Sequence, residues 1–151
     1  MAISLQHAGE FTVELANQLL AETLGDAITA VQVTPLGEGV GLMSSIGRAA
    51  LTLASGKKTS VVLKVIAQTE NVSISKQLNF YANEIDFYRH LSPLCPIRSP
   101  KCFFADIDPE TQDFLLILED LGAAAAGDQL KGCDEALMLQ GFEKAAQLHG
   151  R

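Results

Sequence analysis

Residues 28–67 carry a hydrophobic period of two, interrupted only by short connections, and this most narrows the folds open to the chain. Val31 and Val33 alternate with Gln32 and Thr34, and the strand runs into Pro35-Leu36-Gly37-Glu38-Gly39-Val40-Gly41. Residues 46–54 read as a second strand, Ser55-Gly56-Lys57-Lys58 as a turn, and 60–67 as a third strand rich in β-branched side chains. Short links of this kind join antiparallel neighbours, so the three form a meander. Helical spacing flanks them. Residues 10–25 place Ala16, Leu19, Leu20 and Leu24 on one face, with Thr12 as N-cap, Glu14 in the first turn and Gly25 as the stop. Residues 78–91 place Leu78, Ala82, Ile85 and Leu91 on a stripe that ends before Ser92-Pro93. Residues 101–107 and 114–118 make a hairpin about the turn at 108–113, and after a small-residue linker residues 135–148 form a closing helix. The order predicts an α+β fold on a five-stranded antiparallel sheet, not an alternating βαβ series.

At 151 residues, 48% hydrophobic and 19% charged, the chain has the makings of one globular domain. Eleven Lys+Arg against 18 Asp+Glu give a formal charge of -7, which speaks against nucleic acid as a partner because phosphate binding needs a basic face. No apolar run approaches the roughly 18 residues of a membrane span, so no membrane partner is expected. The first ten residues lack a basic stretch ahead of an apolar one, so a secretory signal is not supported. Cys95, Cys102 and Cys133 show no Cys-x-x-Cys spacing, and neither a disulfide framework nor a metal site is expected. A cytoplasmic setting follows.

The glycines of residues 37–41 fail the dinucleotide fingerprint, because Leu42 takes the third glycine position and a strand follows instead of a helix. Gly56-Lys57-Lys58 fails the Walker pattern, with Leu51 in place of the upstream glycine and no Ser/Thr after the lysine. A glycine turn between strands still lets backbone N–H groups approach a phosphate; a plain hairpin turn is the alternative. Lys64 interrupts Val61-Val62-Leu63-Lys64-Val65-Ile66 and shares a face with Val62 and Ile66. It is either an edge residue reaching solvent or a phosphate holder beneath the glycine loop, and Glu84 on the following helix stands where it can pair with it. His7, His90 and His149 are too dispersed for a metal cluster or triad, and Asp106 and Asp108 read as solvated turn acids.

Glycine loop, strand lysine, helix glutamate and an apolar strand ending in Glu119-Asp120-Leu121 are, in order, the parts of a kinase-type nucleotide lobe. Through Leu36-Gly37-Glu38-Gly39-Val40-Gly41, Val62-Leu63-Lys64, Asn83-Glu84-Ile85-Asp86-Phe87-Tyr88 and Leu116-Ile117-Leu118-Glu119-Asp120-Leu121, the chain resembles the N-terminal lobe of the aminoglycoside phosphotransferase and choline kinase superfamily. It is most similar to the ecdysteroid-kinase-like branch, with Gly127-Asp128-Gln129 and Ala145-Ala146-Gln147-Leu148-His149 adding to the likeness. The resemblance implies a protein-kinase-like N-lobe over residues 1–121, with a C-type helix and an extra N-terminal helix, and over 122–151 a linker and the first helix of a C-lobe. It further implies that Gly37, Gly39, Gly41, Ser44 and Ser45 cover the phosphates of ATP. Lys64 would hold the α/β-phosphates, Glu84 would orient Lys64, and Val62 would lie against adenine. Glu119 and Leu121 would hydrogen-bond the base through their backbones.

In the family the catalytic aspartate and the ligands of Mg²⁺ lie in a helical C-lobe, so no catalytic residue and no metal ligand is expected within these residues. His149-Gly150-Arg151 has arginine where a catalytic His-Gly-Asp loop has its base, and Asp113-Phe114-Leu115 has leucine where a metal-binding Asp-Phe-Gly has glycine. Both read as structural. The functional expectation is an ATP-binding lobe of a phosphotransferase acting on a small-molecule hydroxyl, inactive by itself and prone to self-association. The alternative is a non-catalytic nucleotide-binding or interaction module.

Overall fold

The computed structural model describes residues 3, 5–36, 44–67, 69, 71–122, 124 and 130–150. After a single 3-10 turn at Ala8–Glu10, helix α1 spans Val13–Leu24. Thr12 caps it by accepting the Leu15 N–H, and Gly25 ends it at φ 69°, a conformation that glycine adopts without a Cβ clash. Asn17 then stitches α1 to the sheet, its amide donating to the Ile28 carbonyl (2.7 Å) and accepting the Ile28 N–H (2.8 Å).

Five strands follow: β1 Ile28–Pro35, β2 Ser44–Leu53, β3 Lys58–Ile66, β4 Cys102–Ile107 and β5 Phe114–Glu119. They form one antiparallel sheet in the order β1-β2-β3-β5-β4. The central strands are covered on both faces. Val61, Leu63 and Val65 of β3 and Leu115 and Ile117 of β5 pack with Ala16 and Leu20 of α1. The alternate residues Ile66, Phe114, Leu116 and Leu118 pack with Tyr81 and Ile85 from the helices that follow β3. Gly47 is needed on the α1 side, since a Cβ there would stand 2.8 Å from the Ala8 Cβ and 3.0 Å from Val33 Cγ1.

The single helix expected over 78–91 is instead a broken series. Helix α2 spans Val72–Gln77 and α3 Phe80–Asp86, followed by a π turn at Phe87–Leu91 and a 3-10 turn at Ser92–Leu94. Asn79, in the left-handed region at φ 55°, separates α2 from α3. The expected stripe is corrected with it: Tyr81 and Ile85 are buried while Leu78 and Leu91 are more than half exposed, because the breaks reset which side chains face the sheet. Helix α4, Glu135–His149, begins on an Asp134 cap and includes no buried residue. Leu137, Leu139 and Phe142 are each more than half exposed, as expected of a closing helix whose apolar side chains are not met within these residues.

The turn between β4 and β5 is organised by Asp108, whose carboxylate accepts the Glu110 and Thr111 N–H groups and is thereby held below the ordinary carboxylate range. Among the described residues no helix is long and apolar enough to cross a membrane. Cys95, Cys102 and Cys133 are all free thiols.

Candidate functional site

Strand register sets side chains in rows across the sheet face opposite α1. One row holds Arg48, Val62, Leu118 and Cys102. The next, two residues along β3 and so roughly 6.6 Å away, holds Ile46, Lys64, Leu116 and Ala105. Lys64 therefore points to the face that α3 covers, and its Nζ donates to both carboxylate oxygens of Glu84 at 2.7 Å each. Both side chains are about three-quarters buried (24% and 29% exposed), so the pair is partly shielded from water. An ammonium has three donors, and the pairing with Glu84 leaves capacity for an anionic oxygen.

The first row borders a cleft of about 250 Å³, lined among others by Arg48, Val62, Leu118, Glu119, Asp120 and Leu121. Val62, Glu119 and Leu121, singled out from the sequence, thus meet at one place. The Glu119 N–H donates to the Lys101 carbonyl (2.8 Å), and the Glu119 side chain accepts from Arg98 (2.9 Å) and the Lys101 N–H (3.1 Å). The Leu121 carbonyl accepts from the Ala124 N–H at 2.7 Å, which turns the chain away after β5.

Ser44 pairs with Ile66 and lies on the cleft face, whereas Ser45 pairs with Val65 and alternation sends it to the α1 side. The resemblance implied both serines over the phosphates, and the pleat sets them on opposite faces of the sheet. Gly37, Gly39 and Gly41, like Gly127-Asp128-Gln129, lie outside the described residues.

The structure adds a cluster that the sequence did not show. Asp120, 7% exposed, accepts Arg48 Nε (2.7 Å), Arg48 Nη2 (3.1 Å), Ser60 Oγ (2.7 Å) and the Gly122 N–H (3.0 Å). The Arg48 hydrogen bonds, supported by Ser60 and the Gly122 N–H, hold its carboxyl below the ordinary range despite burial. This binds β2, β3 and the segment after β5 to one another at the mouth of the cleft. Arg48 and Ser60 alternate onto the same face as Val62, which was the available signal. Burial pushes the Tyr88 phenol up, with the negative charge of Glu84 adding to it, and burial likewise raises the Cys102 thiol. Neither group is primed as a nucleophile or base.

Against this geometry, the ecdysteroid kinase-like family matches residues 38–151. The chain belongs to that family. The family lies within the protein-kinase-like superfamily, and the five-stranded sheet with its Lys64–Glu84 pair is a kinase-like N-lobe. The match begins beyond α1 and β1, so the ecdysteroid kinase-like assignment rests on the sheet from β2 onward, the helices after β3, and α4. No curated protein and no solved structure matches the chain.

Proposed function

We propose that this ecdysteroid kinase-like chain is the ATP-binding lobe of a phosphotransferase that passes the γ-phosphate to a small-molecule hydroxyl. The observation carrying this reading is the Lys64–Glu84 pair at 2.7 Å, one row from a cleft walled by Val62 and Leu118. Adenine would lie between these apolar side chains, with its polar edge toward residues 119–121. Because the Glu119 N–H is already donated to Lys101, Glu119 would serve the base through its carbonyl and Leu121 through its N–H. Lys64, held by Glu84, would neutralise the α/β-phosphates, with Ser44 and the glycines at 37, 39 and 41 covering them. What this chain contributes is positioning and charge neutralisation.

Mg²⁺ would accompany the triphosphate and offset its charge. Among the described residues no three metal-ligating side chains converge. The purified chain is expected to transfer no phosphoryl group.

Calorimetric titration with ATP tests the reading. Lys64→Ala removes a charge-assisted contact of about 1.5–3 kcal/mol and is expected to weaken binding at least tenfold while circular dichroism shows the fold intact. Equal affinity of the two proteins would remove Lys64 from the site, and turnover by the purified chain would show that the catalytic groups are misplaced.

A further inference from the structure

Glu84 rides on α3, a helix of seven residues that is too short to be stable by its own hydrogen bonds and is cut off from α2 at Asn79. Apolar contacts hold it to the sheet: Tyr81 stacks on Phe114 at 4.9 Å, and Ile85 is fully buried among the same residues. Such packing presses the helix to the sheet, and apolar burial by itself sets slide and rotation less sharply than hydrogen bonds do. Further directional contacts come from either side of α3. Before it, Lys76 of α2 donates to Asp113 and to the Thr111 carbonyl. After it, Arg89 in the π turn donates Nε to the Ala105 carbonyl (3.0 Å) and Nη2 to Asp106 Oδ1 (2.7 Å). Both grips fall on the β4–β5 hairpin, and the second falls on a telling residue: Ala105 belongs to the cross-sheet row of Lys64, through Leu116.

We infer that Arg89 and Asp106 are positioning residues that hold Glu84 in register with Lys64 before any ligand arrives. The guanidinium ties the end of α3 to the row that carries the lysine, so a slide of the helix that separated Glu84 from Lys64 would first have to break two hydrogen bonds at β4. A pair kept closed in this way is preorganised, and an anion meeting Lys64 bears no cost of assembling it. That consequence for phosphate rests on the reading of Lys64 given above; the clamp itself does not.

Carbodiimide condensation, which joins an amine to a carboxylate in contact with it, reads the geometry directly in the full chain without nucleotide. The Lys64–Glu84 link is quantified by peptide mass spectrometry against the Lys76–Asp113 link, which reports that α2 and the hairpin remain in place. Arg89→Met and Asp106→Asn are each expected to lower the ratio about fivefold, the effect of losing one half-buried ion pair. The charge-exchanged double variant Arg89→Asp/Asp106→Arg is expected to recover part of it, because the ion pair returns while the bond to the Ala105 carbonyl does not, and loss of packing alone would allow no recovery. Should Arg89→Met fail to fold, the near-isosteric Asp106→Asn carries the same expectation. An unchanged ratio in the folded single variants overturns the inference and leaves apolar packing as what places Glu84. Wild-type chain that shows the clamp-dependent link yet no ATP binding would defeat the nucleotide reading alone.

Discussion

Replacing Asp120 by alanine removes, at one stroke, the acceptor of four hydrogen bonds that join β2, β3 and the segment after β5. Their loss is unequal. Arg48, at 40% side-chain exposure, rehydrates once released, so its two contacts are discounted toward the surface range of about 1 kcal/mol. The Ser60 hydroxyl and the Gly122 N–H lose a charged acceptor, and the sum comes to about 2–3 kcal/mol. For a chain of this size that lowers the melting temperature by roughly 4–12 °C. Asp120→Asn keeps the shape and isolates the charge. Because the folded carboxyl lies below its ordinary value of 3.8, the unfolded chain binds the proton more readily. The stabilisation is therefore complete above that ordinary value and is lost as pH falls through the folded one. Urea titrations of wild type and both variants at neutral pH and at about pH 3 measure this, and the other depressed carboxylates cancel in the differences. The reasoning fails if the alanine variant lies within about 0.5 kcal/mol of wild type, or if the gap between wild type and Asp120→Asn does not narrow in acid.

Gly47→Ala is expected to cost about 1–3 kcal/mol in urea unfolding, because the methyl of Ala8 cannot rotate away from the added Cβ; a neutral result would mean that the 3-10 turn shifts freely. The exposed apolar side chains of α4 are expected to draw two copies of the chain together. Sedimentation velocity should show association that falls at least tenfold on Leu139→Ser/Phe142→Ser, and a concentration-independent monomer in the wild type would refute it.

The sheet was legible because alternation is local: Val61 through Ile66 announce two covered faces and single out Lys64 within six residues. The pair with Glu84 followed from the same logic, one strand and one helix apart. The break in the helix was not legible, since Leu78, Ala82, Ile85 and Leu91 satisfy a helical stripe while the burial of Tyr81 and Ile85 depends on the sheet beneath them. The Asp120 cluster was legible only in part, through Arg48 and Ser60 alternating onto one face. Its partners lie 72 and 60 residues away, and the motif that places Asp120 at the end of β5 does not say which distant side chains its carboxylate accepts from.

The two outer strands differ from the inner ones in a way that bears on how the protein meets other chains. Pairing along β1 slips between Ile28 and Ala30, and β1 closes on Pro35, which has no N–H to offer; pairing along β4 slips between Cys102 and Phe104. A strand added from outside needs a flat, regular ladder of donors and acceptors, and each rim is interrupted near one end. Growth of the sheet into a fibre or a shared intermolecular sheet is thereby disfavoured at both rims, and contacts between molecules are left to side chains, which can be tuned one at a time without disturbing the strands.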